Sequence, residues 1–397
     1  MEELSARARG LVPSATIAMN RRARELAAAG RDVIDLSVGE PDFPTPPFVR
    51  EAAKAAIDAG YSRYTPVAGY PELRDAVRRK LARENGLDYA DPEVMVSCGA
   101  KHSIANVLLA LVDPGDEVLI PAPYWVSYAE LARLAGGIPV ILPTRAAEGW
   151  KLDPATLKAA LGPKSRVLVL CSPSNPTGAV YGAQELAALA AELEGADRLW
   201  VLSDEIYEHI SMSGSHASPA SIPSLRDRCA LVNGVSKSYA MTGWRIGYLA
   251  APETLVRACT DIQGQMTTNA SSIAQRAAMA ALDGGAAAVA EMAAAFRHRR
   301  GLALAAAAAL PGSSIVPPEG AFYLFPDLSS HFGKSLGARK VLGSAGLCSL
   351  FLEEAGVATV PGAAFGEDAC VRISFASSEE KVAEGIRRMA EVLSGLR

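Results

Sequence analysis

The chain has 397 residues, half of them apolar and about a fifth charged, with a formal net charge of -4. Such a composition excludes a mainly disordered chain, and the length predicts roughly two to three domain-sized units with core enough to bury a pocket. A slightly acidic balance without long Lys/Arg blocks leaves no electrostatic footprint for nucleic acid or an anionic membrane, so any bound anion must be held locally.

Residues 1–13 carry Glu2, Glu3, Arg7 and Arg9 and lack the apolar stretch of a secretory signal, which predicts a cytoplasmic protein. Residues 39–47 read as a loop. From there the chain alternates β-rich runs with helical stretches. Buried strands are predicted over 94–97, 117–120, 139–142, 166–171, 199–203, 231–235 and 246–250, with helices over 100–111, 124–134 and 183–193. Pro and Gly clusters at 113–115, 121–123 and 172–178 punctuate them and fall just after strands. This is the pattern of an α/β domain with a mainly parallel sheet, whose strand ends are where ligands bind. Beyond residue 285 the composition turns to an alanine-rich helical segment, then to β-like runs at 314–325 and 371–376. The expected division is a large domain over 46–284 and a smaller α+β domain formed by 1–45 with 285–397. The alanine-leucine stretch at 302–310 is far shorter than the about 20 residues a bilayer span needs. Six scattered cysteines without a C-x-x-C pair predict reduced buried thiols and no metal site.

Three segments carry the chemistry. In N-G-V-S-K-S-Y-A-M-T-G-W-R-I-G-Y at 233–248, Lys237 sits between two serines where a strand gives way to a loop, and Arg245 follows among Gly243, Trp244 and Gly247. Taken alone, S-K-S is equally what a solvated loop looks like. A cation in a glycine-rich frame, however, suits a phosphate. N-P-T-G at 175–178 and D-E-I-Y at 204–207 add an amide, a carboxylate and a phenol at consecutive strand ends ahead of the lysine.

This combination resembles the fold-type I pyridoxal-phosphate aminotransferases, in particular the class I subgroup of bacterial aspartate and aspartate/prephenate aminotransferases. The resemblance runs from about Pro13 to the C-terminus. Further motifs that carry it are S-V-G-E-P-D-F at 37–43, Y-T-P-V-A-G at 64–69, P-Y-W-V-S-Y at 123–128, G-A-F-Y at 320–323 and V-R-I-S-F-A at 371–376. It implies a seven-stranded, mainly parallel sheet in the large domain and pyridoxal 5'-phosphate as cofactor. By resemblance Lys237 holds the cofactor as a Schiff base and shuttles the substrate proton. Asp204 pairs with the ring nitrogen, Asn175 and Tyr207 hydrogen-bond the ring hydroxyl, and Trp125 stacks on the ring. The backbone N–H groups of Gly99, Ala100 and Lys101, at a helix start, cradle the phosphate with Ser236 and Arg245. Tyr64 matches the tyrosine that reaches the phosphate of the neighbouring subunit, which implies a homodimer with shared active sites.

For the substrate, the resemblance implies that Arg372 binds the α-carboxylate bidentately and that the Gly39 backbone closes over it. Trp125 and Asn175 also border the substrate. Lys101 matches the lysine that takes a second carboxylate, with Thr16 of P-S-A-T (13–16) assisting. A strand-edge salt bridge for Arg372 and a solvated helix-start lysine for Lys101 are the competing readings. Relatives that accept prephenate typically carry a basic residue where this chain has Val12. The expected partners are therefore L-aspartate and 2-oxoglutarate, giving oxaloacetate and L-glutamate. The alternatives are an aromatic or prephenate aminotransferase, or another fold-type I enzyme such as a β-lyase.

Overall fold

A computed structural model describes residues 4–13, 15–212 and 216–397. Its centre is a seven-stranded sheet: β1 (Val94–Ser97), β2 (Glu117–Ala122), β3 (Ile138–Pro143), β4 (Ser165–Cys171), β5 (Trp200–Asp204), β6 (Cys229–Gly234) and β7 (Gly247–Ala250). In space they run β1-β7-β6-β5-β4-β2-β3. All neighbours are parallel except β7, which is antiparallel to both β1 and β6. Each of the seven predicted strands is present, 94–97 with both ends as expected and the others with an end shifted by at most two residues.

The apolar runs are continuous because both faces of the sheet are covered. Successive side chains serve opposite cores, as the two-residue period requires. Val96, Leu119, Leu168 and Leu231 enter one cluster, backed by helices Pro47–Asp58 and Pro71–Lys80. Met95, Val118, Val167 and Val232 enter the other, against Ile104, Val107 and Leu108 of helix Ala100–Leu111. The expected burial of 139–142 is corrected: in β3 only Leu142 is buried, and Ile138 and Ile141 are exposed. The strand lies at the sheet edge with one neighbour, the position at which its two prolines are tolerated. The predicted helix at 124–134 begins only at Ser127.

The C-terminal part packs helices Ala286–Ala307, Ser344–Ala355 and Glu379–Gly395 against a three-stranded antiparallel sheet. In that sheet Val371–Ser374 lies between Val360–Pro361 and Tyr323–Leu324. Ile34–Asp35 pairs in parallel with Val357–Ala358, so the N-terminal segment joins this part of the molecule. Ile206, Tyr207 and Ile210, which follow β5, enter the same core as Phe296, Phe322 and Ile373. The D-E-I-Y segment thus bolts the large sheet to the C-terminal part. No single helix among the described residues is long and apolar enough to cross a membrane. All six cysteines are free; Cys98 and Cys171 are only half-buried, a correction to the expectation of six buried thiols.

Candidate active site

The parallel strands deliver their C-terminal ends to one edge of the sheet, and the chain reverses direction of travel between β2 and β4, where an open α/β sheet forms its ligand crevice. A cleft of about 320 Å³ lies there. Thr16, Gly39, Ala100, Lys101, Trp125, Asn175, Asp204, Tyr207, Ser236, Lys237, Arg245 and Arg372 all line it. Two predicted residues do not. Gly99 sits just behind the wall, and Tyr64 is 88% exposed on a separate open groove beside Arg63 and Asn269. Ser14, in the tetrapeptide that contains Thr16, lies outside the described residues, as do residues 1–3 at the N-terminus.

Lys237 projects from the loop between β6 and β7, and its Nζ donates to the Gly39 carbonyl at 2.6 Å. Burial pulls the amine down to about 8 from its ordinary 10.5; Arg372 and Arg245 add to the shift, against Glu40 and Asp204. Asp204 ends β5 and is 4% exposed. Burial pushes its carboxyl up to about 6, opposed by hydrogen bonds from the Tyr128 hydroxyl at 2.6 Å and the Ile206 N–H at 3.2 Å. The Tyr207 and Tyr323 hydroxyls are 2.8 Å apart.

At the other end of the cleft, Arg245 takes a left-handed backbone (φ 55°) and donates to the Thr242 and Cys98 carbonyls. Gly99 has φ +86°, and a Cβ there would lie 2.4 Å from Arg245 Nη2. At Gly247 a Cβ would lie 2.2 Å from the Ala100 nitrogen. The two glycines let the guanidinium and the start of helix Ala100–Leu111 close on one point. Helix starts leave N–H groups without acceptors, and here they are those of Ala100 and Lys101. The Gly99 N–H is already engaged by the Ser97 carbonyl at 2.7 Å, so the expected three-donor cradle reduces to two backbone donors. Lys101 is exposed to the cleft with its Nζ 4.7 Å from the centre of the Trp125 ring.

Arg372 is 1% exposed on its central strand. It donates to Asn175 Oδ1 at 3.0 Å and to the Ser37 carbonyl at 2.6 Å, lies over the rings of Tyr323 and Phe365, and leaves Nε unpartnered. Among the described residues no carboxylate stands within ion-pair distance of Lys101, Lys237, Arg245 or Arg372, although ion pairs are plentiful elsewhere. Of the four, Arg372 is buried, Lys237 is half-buried, and Lys101 and Arg245 are exposed to the cleft. A buried cation without a counter-charge is costly, so a cleft that holds one and gathers three more suits an anion.

The residues 31–389 match the family model for aminotransferase class I and II. The chain belongs to this family. This aminotransferase is 50% identical over 395 residues to the bifunctional aspartate aminotransferase and glutamate/aspartate-prephenate aminotransferase of Petunia hybrida, a match that covers 98% of this chain and 82% of the plant protein. It is 48% identical to the aspartate/prephenate aminotransferase of Cereibacter sphaeroides, with 97% of each chain covered. Among solved structures, the aspartate aminotransferase of Rhizobium meliloti superimposes with a TM-score of 0.96 at 40% identity over the whole of both chains. That of Thermus thermophilus with maleate gives 0.91 at 42%, covering 99% of this chain and all of the other.

Two residues of the aminotransferase cleft escaped the sequence reading. Tyr128 supplies the hydrogen bond to Asp204, and Tyr323 the one to Tyr207. Both stand inside the motifs P-Y-W-V-S-Y and G-A-F-Y, and the Tyr128 ring packs edge-on against that of Trp125 at 5.3 Å. Membership of those motifs was the available signal.

Proposed function

We propose that this aminotransferase binds pyridoxal 5'-phosphate and transfers the amino group of L-aspartate to 2-oxoglutarate. The observation that carries the reading is the set of cleft cations without carboxylate partners, disposed at two ends around a buried Asp204 and a depressed Lys237 amine. The residues fit the cofactor. Asp204, whose burial disfavours its own charge, gains most from a protonated ring nitrogen beside it. Arg245, Ser236 and the Ala100 and Lys101 N–H groups suit a phosphate, and the bare Gly99 leaves Arg245 its place. The cofactor, when bound, supplies the electron sink for the bond broken at the substrate's Cα.

The chain's own residues do the rest. Lys237, with an amine near 8, is partly neutral at neutral pH and so serves as nucleophile and then as base toward the Cα proton. Tyr128 keeps Asp204 ionised and oriented. Asn175, its Oδ1 committed to Arg372, has Nδ2 left to donate to the ring hydroxyl beside Tyr207. Arg372 takes the α-carboxylate; its unpartnered Nε is the donor still to be satisfied. Trp125 borders the ring face, and Gly39 must release Lys237 as substrate enters.

A dicarboxylate needs a second cation, and with Arg245 assigned to the phosphate it is the exposed Lys101, with Thr16 on the same wall. The names of the relatives and the maleate in the Thermus structure agree with a four-carbon diacid. Prephenate is the second reading, favoured by the names of the Petunia and Cereibacter relatives. Against it stands the uncharged Val12, whose N–H is taken by the Glu130 carboxylate at 3.0 Å. We also propose a cytoplasmic homodimer in which the exposed Tyr64 completes the partner's phosphate site, and a domain division at 46 and 285. A panel of donor and acceptor pairs tests the substrate. Aspartate and glutamate should outrun phenylalanine, alanine and prephenate, and a preference for prephenate would overturn the reading of Val12.

A further inference from the structure

The loop that carries Lys237 and the segment that carries Asp204 and Tyr207 come from different strands, yet one side-chain bond joins them outside the cleft. His209, two residues past Tyr207, places Nδ1 2.7 Å from the hydroxyl of Ser238, the residue that follows Lys237. Ser238 is 1% exposed, and neither residue lines the cleft. The other ring nitrogen of His209, Nε2, lies 2.8 Å from Glu84 Oε2. A carboxylate accepts, so Nε2 carries the hydrogen, and the bond at Nδ1 is shared with the Ser238 hydroxyl, which can either donate or accept.

Glu84 is itself fixed. It stands in the π-helical turn Leu81–Asn85 that ends helix Pro71–Lys80, within reach of Lys80 and Arg83. Lys80, 1% exposed, forms a buried ion pair with Glu208, whose second oxygen accepts from Asn85 at 3.0 Å. The Tyr239 ring packs edge-on against His209 at 6.4 Å. A ring fixed from behind on this scale behaves as a strut.

We propose that the His209–Ser238 hydrogen bond, braced by Glu84, is a positioning clamp that sets the Lys237 backbone against Asp204 and Tyr207. A lysine has four rotatable bonds, so the direction of its amine is defined only as well as its Cα is held; misplacing a reacting group by about 1 Å costs on the order of 100-fold in rate. Ser238 and His209 act through Lys237 and touch neither substrate nor cofactor. The inference rests on the reading of Lys237 given above.

The test uses the full-length chain stripped of cofactor, to which pyridoxal 5'-phosphate is added. Capture at Lys237 is followed by reductive trapping and peptide mass, with kcat and KM for aspartate measured on the reloaded protein. Ser238→Ala removes the hydroxyl, and His209→Gln keeps a group at the Nε2 position while losing the one at Nδ1. Both should slow capture and lower kcat by about tenfold, with KM within about twofold, the scale of one lost hydrogen bond. Ser238→Thr keeps the hydroxyl and His209→Asn keeps a polar group at the Nδ1 position; both should stay within about twofold of wild type. Capture by Ser238→Ala at the wild-type rate overturns the clamp. So does an equal loss in all four variants that follows their melting temperatures, which marks a merely structural role. Failure of the wild-type chain to capture at Lys237 sinks the reading of the site and the clamp with it.

Discussion

Burying an amine and a carboxylate in one cleft sets opposite pH behaviours for Lys237 and Asp204. Because burial pulls the Lys237 amine down to about 8, its labelling by an amine reagent in the unloaded chain should rise with a midpoint near that value, well below the 10.5 of a surface lysine. A midpoint near 10.5 would show that burial does not govern it. For Asp204 the folded carboxyl is raised to about 6, so the folded state binds its proton more tightly than the unfolded one. Its burial cost is therefore full above about 6 and recedes as pH falls toward 3.8. Asp204→Asn should accordingly stabilise the unloaded chain at pH 8 by about 2–3 kcal/mol, less at pH 5, while abolishing turnover. Urea denaturation at the two pH values checks this. These effects were only half legible in the sequence. D-E-I-Y announces a carboxylate at a strand end, but its depth and its bond from Tyr128, 76 residues earlier, depend on packing that no local pattern encodes.

At the level of elements, glycines and one ion pair decide how closely parts meet. Gly247→Ala would drive a methyl into the first turn of helix Ala100–Leu111. It should cost about 1–3 kcal/mol of stability by overpacking and weaken cofactor binding, readable from melting and from equilibrium dialysis of pyridoxal phosphate. The Lys80–Glu208 pair fastens the end of helix Pro71–Lys80 to the segment after β5. Burial alone would raise the Glu208 carboxyl, but Lys80, with His209 and His216, outweighs it and holds it well below its usual 4.5. A lowered carboxyl contributes stability above its unfolded value, and the contribution is lost as pH falls through the folded one. Glu208→Gln should thus cost about 3–5 kcal/mol at pH 7, with the difference from wild type shrinking in acid. Element types were readable because the strands are apolar runs, most of them with Pro or Gly at or just past their ends; β5, which runs on into E-I-Y, is the exception. Burial at the sheet edge was not, because 139–142 is as apolar as a central strand and only the strand order reveals that β3 has a single neighbour. The engaged Gly99 N–H was likewise invisible, since a turn's internal bonds follow from its dihedrals rather than from its residue names.

For the whole molecule, an exposed Tyr64 remote from its own cleft makes the assembly testable. Lys237→Ala and Tyr64→Ala chains, each impaired alone, should regain about a quarter of wild-type activity when mixed and reassociated, since in the homodimer proposed above each hybrid would hold one intact site. No recovery would place Tyr64 outside any active site. The broad α/β layout was open to inspection along the chain, whereas the meeting of residues 39, 175, 237 and 372 at one cleft was legible only through the family resemblance, because nothing local relates positions hundreds of residues apart. One feature of the sheet bears on how such a site is inherited. The antiparallel β7 returns beside β6 so that Gly234 and Gly247 face each other in register. The segment between them, with Lys237 and Arg245 on it, is therefore a loop closed at its neck. The spacing between amine and guanidinium belongs to that loop and not to the surrounding helices. A circular permutant opened inside it should lose both functions at once, and the loop is the unit to transplant if this chemistry is to be moved to another scaffold.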